Sequence, residues 1–373
     1  MLEKTIYFDH TATAKPLKES LRVFEKVSEE EYFNPSALYS PAFNLSQRLN
    51  SARKTFLHLL GSDGYGQVIF TSGATEANNI AVLGTPLNKK KKLFFSSGEH
   101  PSVYNCALHL KDFGYDVEFI PLQKNGEVDY DFLEKNIDES VQFLSTMHVS
   151  NETGAINDLN KIHDIISRQN PNIIWHVDCV QSFGKFEINA KALKIDLCSL
   201  SAHKIGGSKG CGALYVKQGL HLKNINYGGG QEFGIRSGTL NPPAILAFEE
   251  AAKICYENMH QNFDCTQNLR EYLFDKLAEI LSMKIVSNKN SSPYITSLLC
   301  SKMRGETLMR CLDSRGIIVG MGSACSANKM GNRVLESMGY TKNESASALR
   351  ISLNHTNTKE EIDFLISSLK EFI

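Results

Sequence analysis

The stretch Asp196-Leu-Cys-Ser-Leu-Ser-Ala-His-Lys-Ile-Gly-Gly-Ser-Lys-Gly-Cys-Gly-Ala-Leu-Tyr-Val216 decides how the chain is read. Two apolar runs, Cys198 to Leu200 and Ala213 to Val216, have the composition of short buried strands. Between them a glycine-rich turn carries Ser201, His203 and Lys204. A core has no use for that lysine, because desolvating an ammonium is costly. Partial burial lowers the pKa of such an amine and makes it a nucleophile toward carbonyls. A solvated lysine at a strand end accounts for the same residues. The choice depends on what the rest of the chain supplies.

With 373 residues, 42% of them hydrophobic, the chain is long enough for about two domains and a sizeable core. Lys and Arg number 40 against 41 Asp and Glu, a formal charge of -1. Bulk charge therefore favours neither nucleic acid nor an anionic membrane. No hydrophobic run approaches the roughly 20 residues that span a bilayer, and the amino terminus has no secretory or transit pattern. A cytoplasmic enzyme is the expectation. No Cys-x-x-Cys pair occurs among the 9 cysteines, so no metal site is expected, and an odd count without an export signal points to free thiols.

From the amino terminus, Ile6 to Asp9 and then His10-Thr11-Ala12 read as an arm whose polar end enters a site or a partner; a loosely docked terminus explains it equally well. A helix is expected from about Pro41 to Leu60, where Leu45, Leu49, Ala52, Phe56 and Leu59 keep near-helical spacing. Strand Val68–Thr71 runs into Ser72-Gly73-Ala74-Thr75-Glu76 at the start of a helix. That junction presents free backbone N–H groups and positive potential, hence an anion site, with Thr75 either a further donor or only a cap. The alternation continues with a strand at Leu93 to Ser96 and a helix opening at His100, which lies where open α/β sheets place ligands. A strand from Phe143 ends at Asn151-Glu152-Thr153-Gly154, and a strand from Ile173 ends at Asp178. Asp178 can cap the next turn or hold a ring nitrogen protonated. Ile317-Ile-Val319 gives way to glycines and small residues around Cys325, and a thiol on such a loop is neither packed nor paired, so its reactivity is the natural explanation.

Together these motifs carry a resemblance. Ser72-Gly-Ala-Thr-Glu76, Glu99-His-Pro-Ser-Val103, Asn151-Glu-Thr-Gly154, His176-Val-Asp-Cys-Val-Gln181, Ser201-Ala-His-Lys204, Arg236-Ser-Gly-Thr-Leu240, Gly322-Ser-Ala-Cys325 and Ala348-Leu-Arg-Ile-Ser352 span nearly the whole chain. The sequence resembles the class V aminotransferase family of fold type I pyridoxal-phosphate enzymes, and within it the group I cysteine desulfurases. The resemblance implies an α/β fold: a mostly parallel central sheet in a large domain, and a smaller α/β C-terminal domain. The expected division is an arm at 1–14, a cofactor-binding domain at 15–255 and a small domain at 256–373 carrying the cysteine loop.

The resemblance also implies roles. Lys204 is expected to join the aldehyde of pyridoxal 5'-phosphate and later move the substrate's Cα proton, with His100 stacked on the ring as an acid/base. Asp178 pairs with the ring nitrogen, Gln181 with the phenolic oxygen, and Asn151 sits beside it. Ala74, Thr75, Ser201 and His203 hold the cofactor at its phosphate side, joined by Thr239 from the neighbouring subunit of a homodimer. Arg350 clamps the carboxylate of L-cysteine through its planar fork. Cys325 takes the sulfur as a persulfide, releasing L-alanine, for a protein acceptor such as an iron–sulfur scaffold or a tRNA-thiolating enzyme. Rival readings are transamination, selenocysteine cleavage and a non-catalytic sulfur-carrier or scaffold subunit.

Several positions depart from the family pattern. Gln231 and Phe233 stand where His and Arg are common, so the dimer-facing loop is expected to differ. Gly206 and Ser208 replace a bulkier residue and a proline, which is expected to loosen the turn after the lysine. The longer tail that some relatives use to engage an iron–sulfur scaffold is expected to be missing, which leaves a cluster scaffold, a tRNA-thiolating enzyme and another carrier as the expected acceptors.

Overall fold

The computed structural model describes residues 5–322 and 331–373. The expectation for Cys325 therefore lies outside the described residues. The chain begins with β1 (Ile6–Phe8) and then builds a large sheet from β2 (Gly66–Thr71), β3 (Lys92–Ser96), β4 (Asp116–Ile120), β5 (Val141–Met147), β6 (Ile174–Asp178), β7 (Leu197–Ser201) and β8 (Gly212–Lys217). The strand order is β2-β8-β7-β6-β5-β3-β4, and only β8 runs antiparallel to its neighbours.

Successive side chains of a strand point to opposite faces, and here both faces are apolar. Val68 and Phe70 pack into one layer with Phe56, Trp175 and Phe248, while Ile69 between them packs into the other with Leu93, Phe95 and Val103. Helices must then cover both faces. Ser40–Leu59, Leu159–Gln169 and Pro242–Glu257 cover the first; Ala74–Leu83 and Pro101–Asp112 cover the second. A helix at Lys18–Glu30, which the sequence reading did not anticipate, docks through Ser20, whose hydroxyl donates to the Ala247 carbonyl at 2.9 Å. Leu17, Leu21, Phe24 and Val27 carry its 3.6-residue signal.

Beyond Asn258 the chain forms β9 (Met283–Ile285), β10 (Thr296–Cys300), β11 (Ile317–Val319) and β12 (Ala348–Ile351). β12-β10-β9 make an antiparallel sheet, covered by helices Met259–Ala278, Gly305–Asp313 and Lys359–Phe372. The first of these helices carries its buried leucines, 269, 273 and 277, in its second half.

The amino-terminal arm joins this second layer. β1 pairs in parallel with β11, with Ile6 opposite Ile317 and Phe8 opposite Val319, and Phe8 is fully buried among the C-terminal helices. The arm then crosses to the large sheet, where Ala14 N–H donates to the His203 carbonyl and Leu17 N–H to the Gly206 carbonyl, each at 2.9 Å. It is thus a strut between the two sheets, not a loosely docked end. The turn after Lys204 is also held by this strut. Gly206 has φ of +85°, and a Cβ there would come within 2.7 Å of Leu17.

Candidate functional site

The parallel strands end on one edge, and their carboxyl ends open into a cavity of about 660 Å³. Loops leaving β2, β3, β5, β6 and β7 there supply Ala74 and Thr75, His100, Asn151, Asp178 with Gln181, and Ser201 with His203 and Lys204. Arg350 enters from β12 of the second layer, and Thr11 and Ala12 close one side from the arm. The structure thus brings together ten of the expected residues. Thr239 lies elsewhere, in a separate groove with Tyr32, Phe33 and Asn34.

Lys204 ends a single 3₁₀ turn, Ala202–Lys204, that follows β7. Its ammonium donates to the carbonyls of Thr11 at 2.6 Å and Ala12 at 2.8 Å. Burial first, then the charges of Arg350 and Lys185, bring its pKa down to about 8, against the opposing pull of Asp9 and Asp178. Asp178 is buried at the end of β6, where its carboxylate accepts from Asn78 Nδ2 and from the Val180 N–H, both at 3.0 Å. Asn78 also donates to the Ser102 hydroxyl at 2.8 Å, tying that carboxylate to the helix that begins after His100.

The Ser102 N–H donates to His100 Nδ1 at 3.2 Å, and a neutral ring accepting there carries its proton on Nε2. Burial pulls the His100 pKa below its usual value even though Asp178 opposes the shift. His203 is held at about 4, by burial first and then by Lys204 and Lys209, so it too is neutral at pH 7.

Ala74 opens a helix of 10 residues, whose first N–H groups have no partner within the helix. They face a cavity that also holds Ser201 and His203, an arrangement suited to an anion. Gln181 donates to the Thr11 carbonyl at 3.2 Å, but its amide oxygen is buried without a partner among the described residues.

Arg350 is 5% exposed, so a charge there needs a partner. Its guanidinium donates to the Asn151 carbonyl and to Asp9 Oδ1, both at 2.9 Å. Asp9 and Asn78 are the residues that sequence reasoning missed. Asp9 stands in the arm already expected to carry polar groups into a site, but its partner is 341 positions away. Asn78 follows Thr75 at i+3, on the same helical face, which was the available signal.

Eight described cysteines are free. Among the described residues no cluster of His, Cys, Asp and Glu could hold a metal, and no helix is long and apolar enough to cross a membrane.

Known proteins share this architecture. A cysteine desulfurase IscS 1 from Archaeoglobus fulgidus is 36% identical over 371 residues, covering 97% of this chain and 95% of that protein. A cysteine desulfurase IscS from Clostridium botulinum is 33% identical over 380 residues, covering 100% and 95%. A solved NifS-like protein superposes with a TM-score of 0.91 at 30% identity over 98% of both chains. Another, described as SspA in complex with cysteine, gives 0.82 at 29% identity over 95% of this chain and 100% of that one. The aminotransferase class-V profile matches residues 6–365, from the arm to the last helix, and the chain belongs to the aminotransferase class-V family.

Proposed function

We propose that the cavity binds pyridoxal 5'-phosphate and L-cysteine, and that the chain is a cysteine desulfurase that converts L-cysteine to L-alanine and passes the sulfur to Cys325. The observation that carries this reading is the convergence of Lys204, Asp178 and the Ala74 helix terminus on one cavity, with Arg350 reaching in from the second layer. The residues fit the cofactor. The helix terminus with Thr75, Ser201 and His203 suits its phosphate, Asp178 suits its ring nitrogen, and a phenolic oxygen would satisfy the buried end of Gln181 that lacks a partner. When bound, the cofactor supplies an aldehyde that condenses with amines and a ring that withdraws electrons from the bond to be broken.

The chain's own residues do the rest. Asp178, fixed by Asn78 and Val180, would hold a proton on the cofactor's ring nitrogen. Lys204, neutral above about pH 8, takes the substrate's Cα proton. His100 presents an N–H at Nε2 toward the cavity. The Cys325 thiolate attacks the substrate sulfur. An S–S bond forms, the Cβ–S bond breaks with its electron pair returning to carbon, and Cβ gains a proton, leaving alanine and a protein persulfide.

Arg350 would exchange its contact with Asp9 for the substrate carboxylate. Arg350→Lys keeps the charge but loses the fork. It is expected to raise the KM for L-cysteine about 10- to 100-fold, the worth of one or two charged hydrogen bonds, with kcat changed less. An unaltered KM would remove Arg350 from the substrate site.

Thr239 is assigned to the cofactor phosphate of a second copy in a homodimer. Exposed Tyr32, which lines its groove, and exposed Tyr39, which packs against Phe33 of the same groove, support such an interface. The deciding experiment is incubation of the purified protein with pyridoxal phosphate and L-cysteine, measuring alanine and protein-bound persulfide. Alanine no higher than in a Lys204→Ala control defeats the proposal.

A further inference from the structure

Glu152 follows Asn151 in the turn after β5 and is 3% exposed. Its Oε2 accepts from Asn332 Nδ2 at 2.9 Å, and its Oε1 accepts from Asn151 Nδ2 at 3.2 Å. The same carboxylate lies against Gly322, which has φ of +84°. A Cβ there would overlap Glu152 Oε2 and come within 2.6 Å of Asn332 Nδ2. Gly322 lines the cavity. Gly322 and Asn332 are the two ends of the segment that contains Cys325.

Asn332 is held on its other side as well. Its Oδ1 accepts from the N–H groups of Val334 and Leu335, and its own N–H donates to the Ser345 hydroxyl at 3.0 Å. Arg333 beside it donates to the carbonyls of Ser97 and Glu99, immediately before His100. On the cavity side, the Asn151 carbonyl is the one that Arg350 binds. One unbroken set of contacts therefore runs from both ends of the cysteine segment through Glu152 to the arginine assigned to the substrate.

A carboxylate has two acceptor oxygens, and here each takes one amide. Among the described residues Glu152 has no ion-pair partner, and burying an unpaired carboxylate is costly. We infer that Glu152 is a positioning residue for sulfur transfer, holding both ends of the Cys325 segment in register with the substrate end of the cavity. This rests on Cys325 being the sulfur acceptor.

The test is a reciprocal exchange. Glu152→Gln sets an amide donor against Asn332, and Asn332→Asp sets a second carboxylate against Glu152. The double variant restores the pairing in reverse: Gln at 152 donates to Asp at 332, still accepts from Asn151, and Asp keeps an oxygen for Val334 and Leu335. In single-turnover reactions at saturating L-cysteine, each single variant is expected to form persulfide about 10- to 100-fold more slowly, the scale for a misplaced reacting group. The spectral change on cysteine binding should keep its wild-type concentration dependence. The double variant should recover to within about threefold, since the hydrogen bonds are equivalent. Wild-type rates in the single variants, or a double variant no faster than they are, would overturn the assignment. Wild-type persulfide yield in Cys325→Ala measured alongside would instead remove the reading of Cys325, and the role of Glu152 with it.

Discussion

Lys204→Ala is expected to lower alanine formation by at least about 1,000-fold, within the range that one positioned acid–base group contributes. It should also leave no borohydride-stable cofactor on the protein. The amine stands at the carboxyl end of β7, and among the described residues its acceptors are two backbone carbonyls of the arm. Carbonyls stabilise an ammonium less than a carboxylate would, while burial and then Arg350 and Lys185 work against it, so its pKa falls to about 8. The sign follows. A lowered pKa means that the neutral amine is about a tenth of the total at pH 7 and about nine-tenths at pH 9. The rate at which cofactor-free protein fixes pyridoxal phosphate should therefore rise through pH 8 and level off above it. A profile flat from pH 7 to 9, or wild-type turnover in the alanine variant, would count against Lys204.

Cys325→Ala should separate the two halves of the chemistry. Lys204, Asp178 and Arg350 remain in place, so the colour change on adding L-cysteine is expected to persist with its normal concentration dependence. The acceptor for sulfur is gone. Protein-bound persulfide should be absent, and alanine release should fall at least about 100-fold, the loss expected when a nucleophile is no longer held near its target. Of the nine cysteines, the eight described ones are free, and those with resolved shifts, Cys106, Cys198, Cys211 and Cys255, are all pushed upward, by burial first. A buried thiol with a raised pKa is a poor nucleophile at pH 7. None of these four should substitute for Cys325, and wild-type alanine and sulfide release from the variant would exclude Cys325 from the transfer.

The alternation of apolar runs and glycine turns was enough to read individual strands, because buried parallel strands must be apolar on both faces and their ends must be polar; their joining into one mostly parallel sheet was implied by the family resemblance. Strand Ile174–Asp178 lies within a residue of its expected start, and the turn at Lys204 lies between the strands expected for it. The helix at Lys18–Glu30 carried a legible apolar stripe that the reading passed over, and its burial is confined to Ser20 and Val27.

The sequence by itself determined which chemistry is possible: a lysine, an aspartate and a glycine-rich helix start, each at the carboxyl end of a strand, and a thiol among small residues. Those are local facts, carried by residue type and spacing over a few positions. The tertiary structure alone decided who faces whom. It set Asp9 of the arm against Arg350, placed the carbonyls of Thr11 and Ala12 on the Lys204 amine, and gathered Gly322 and Asn332 onto Glu152. These pairs are separated by some 170 to 340 positions. Contacts that distant leave no periodicity for a sequence to show; they exist because β1 pairs with β11 and so brings the arm, the second layer and the large sheet to one cavity.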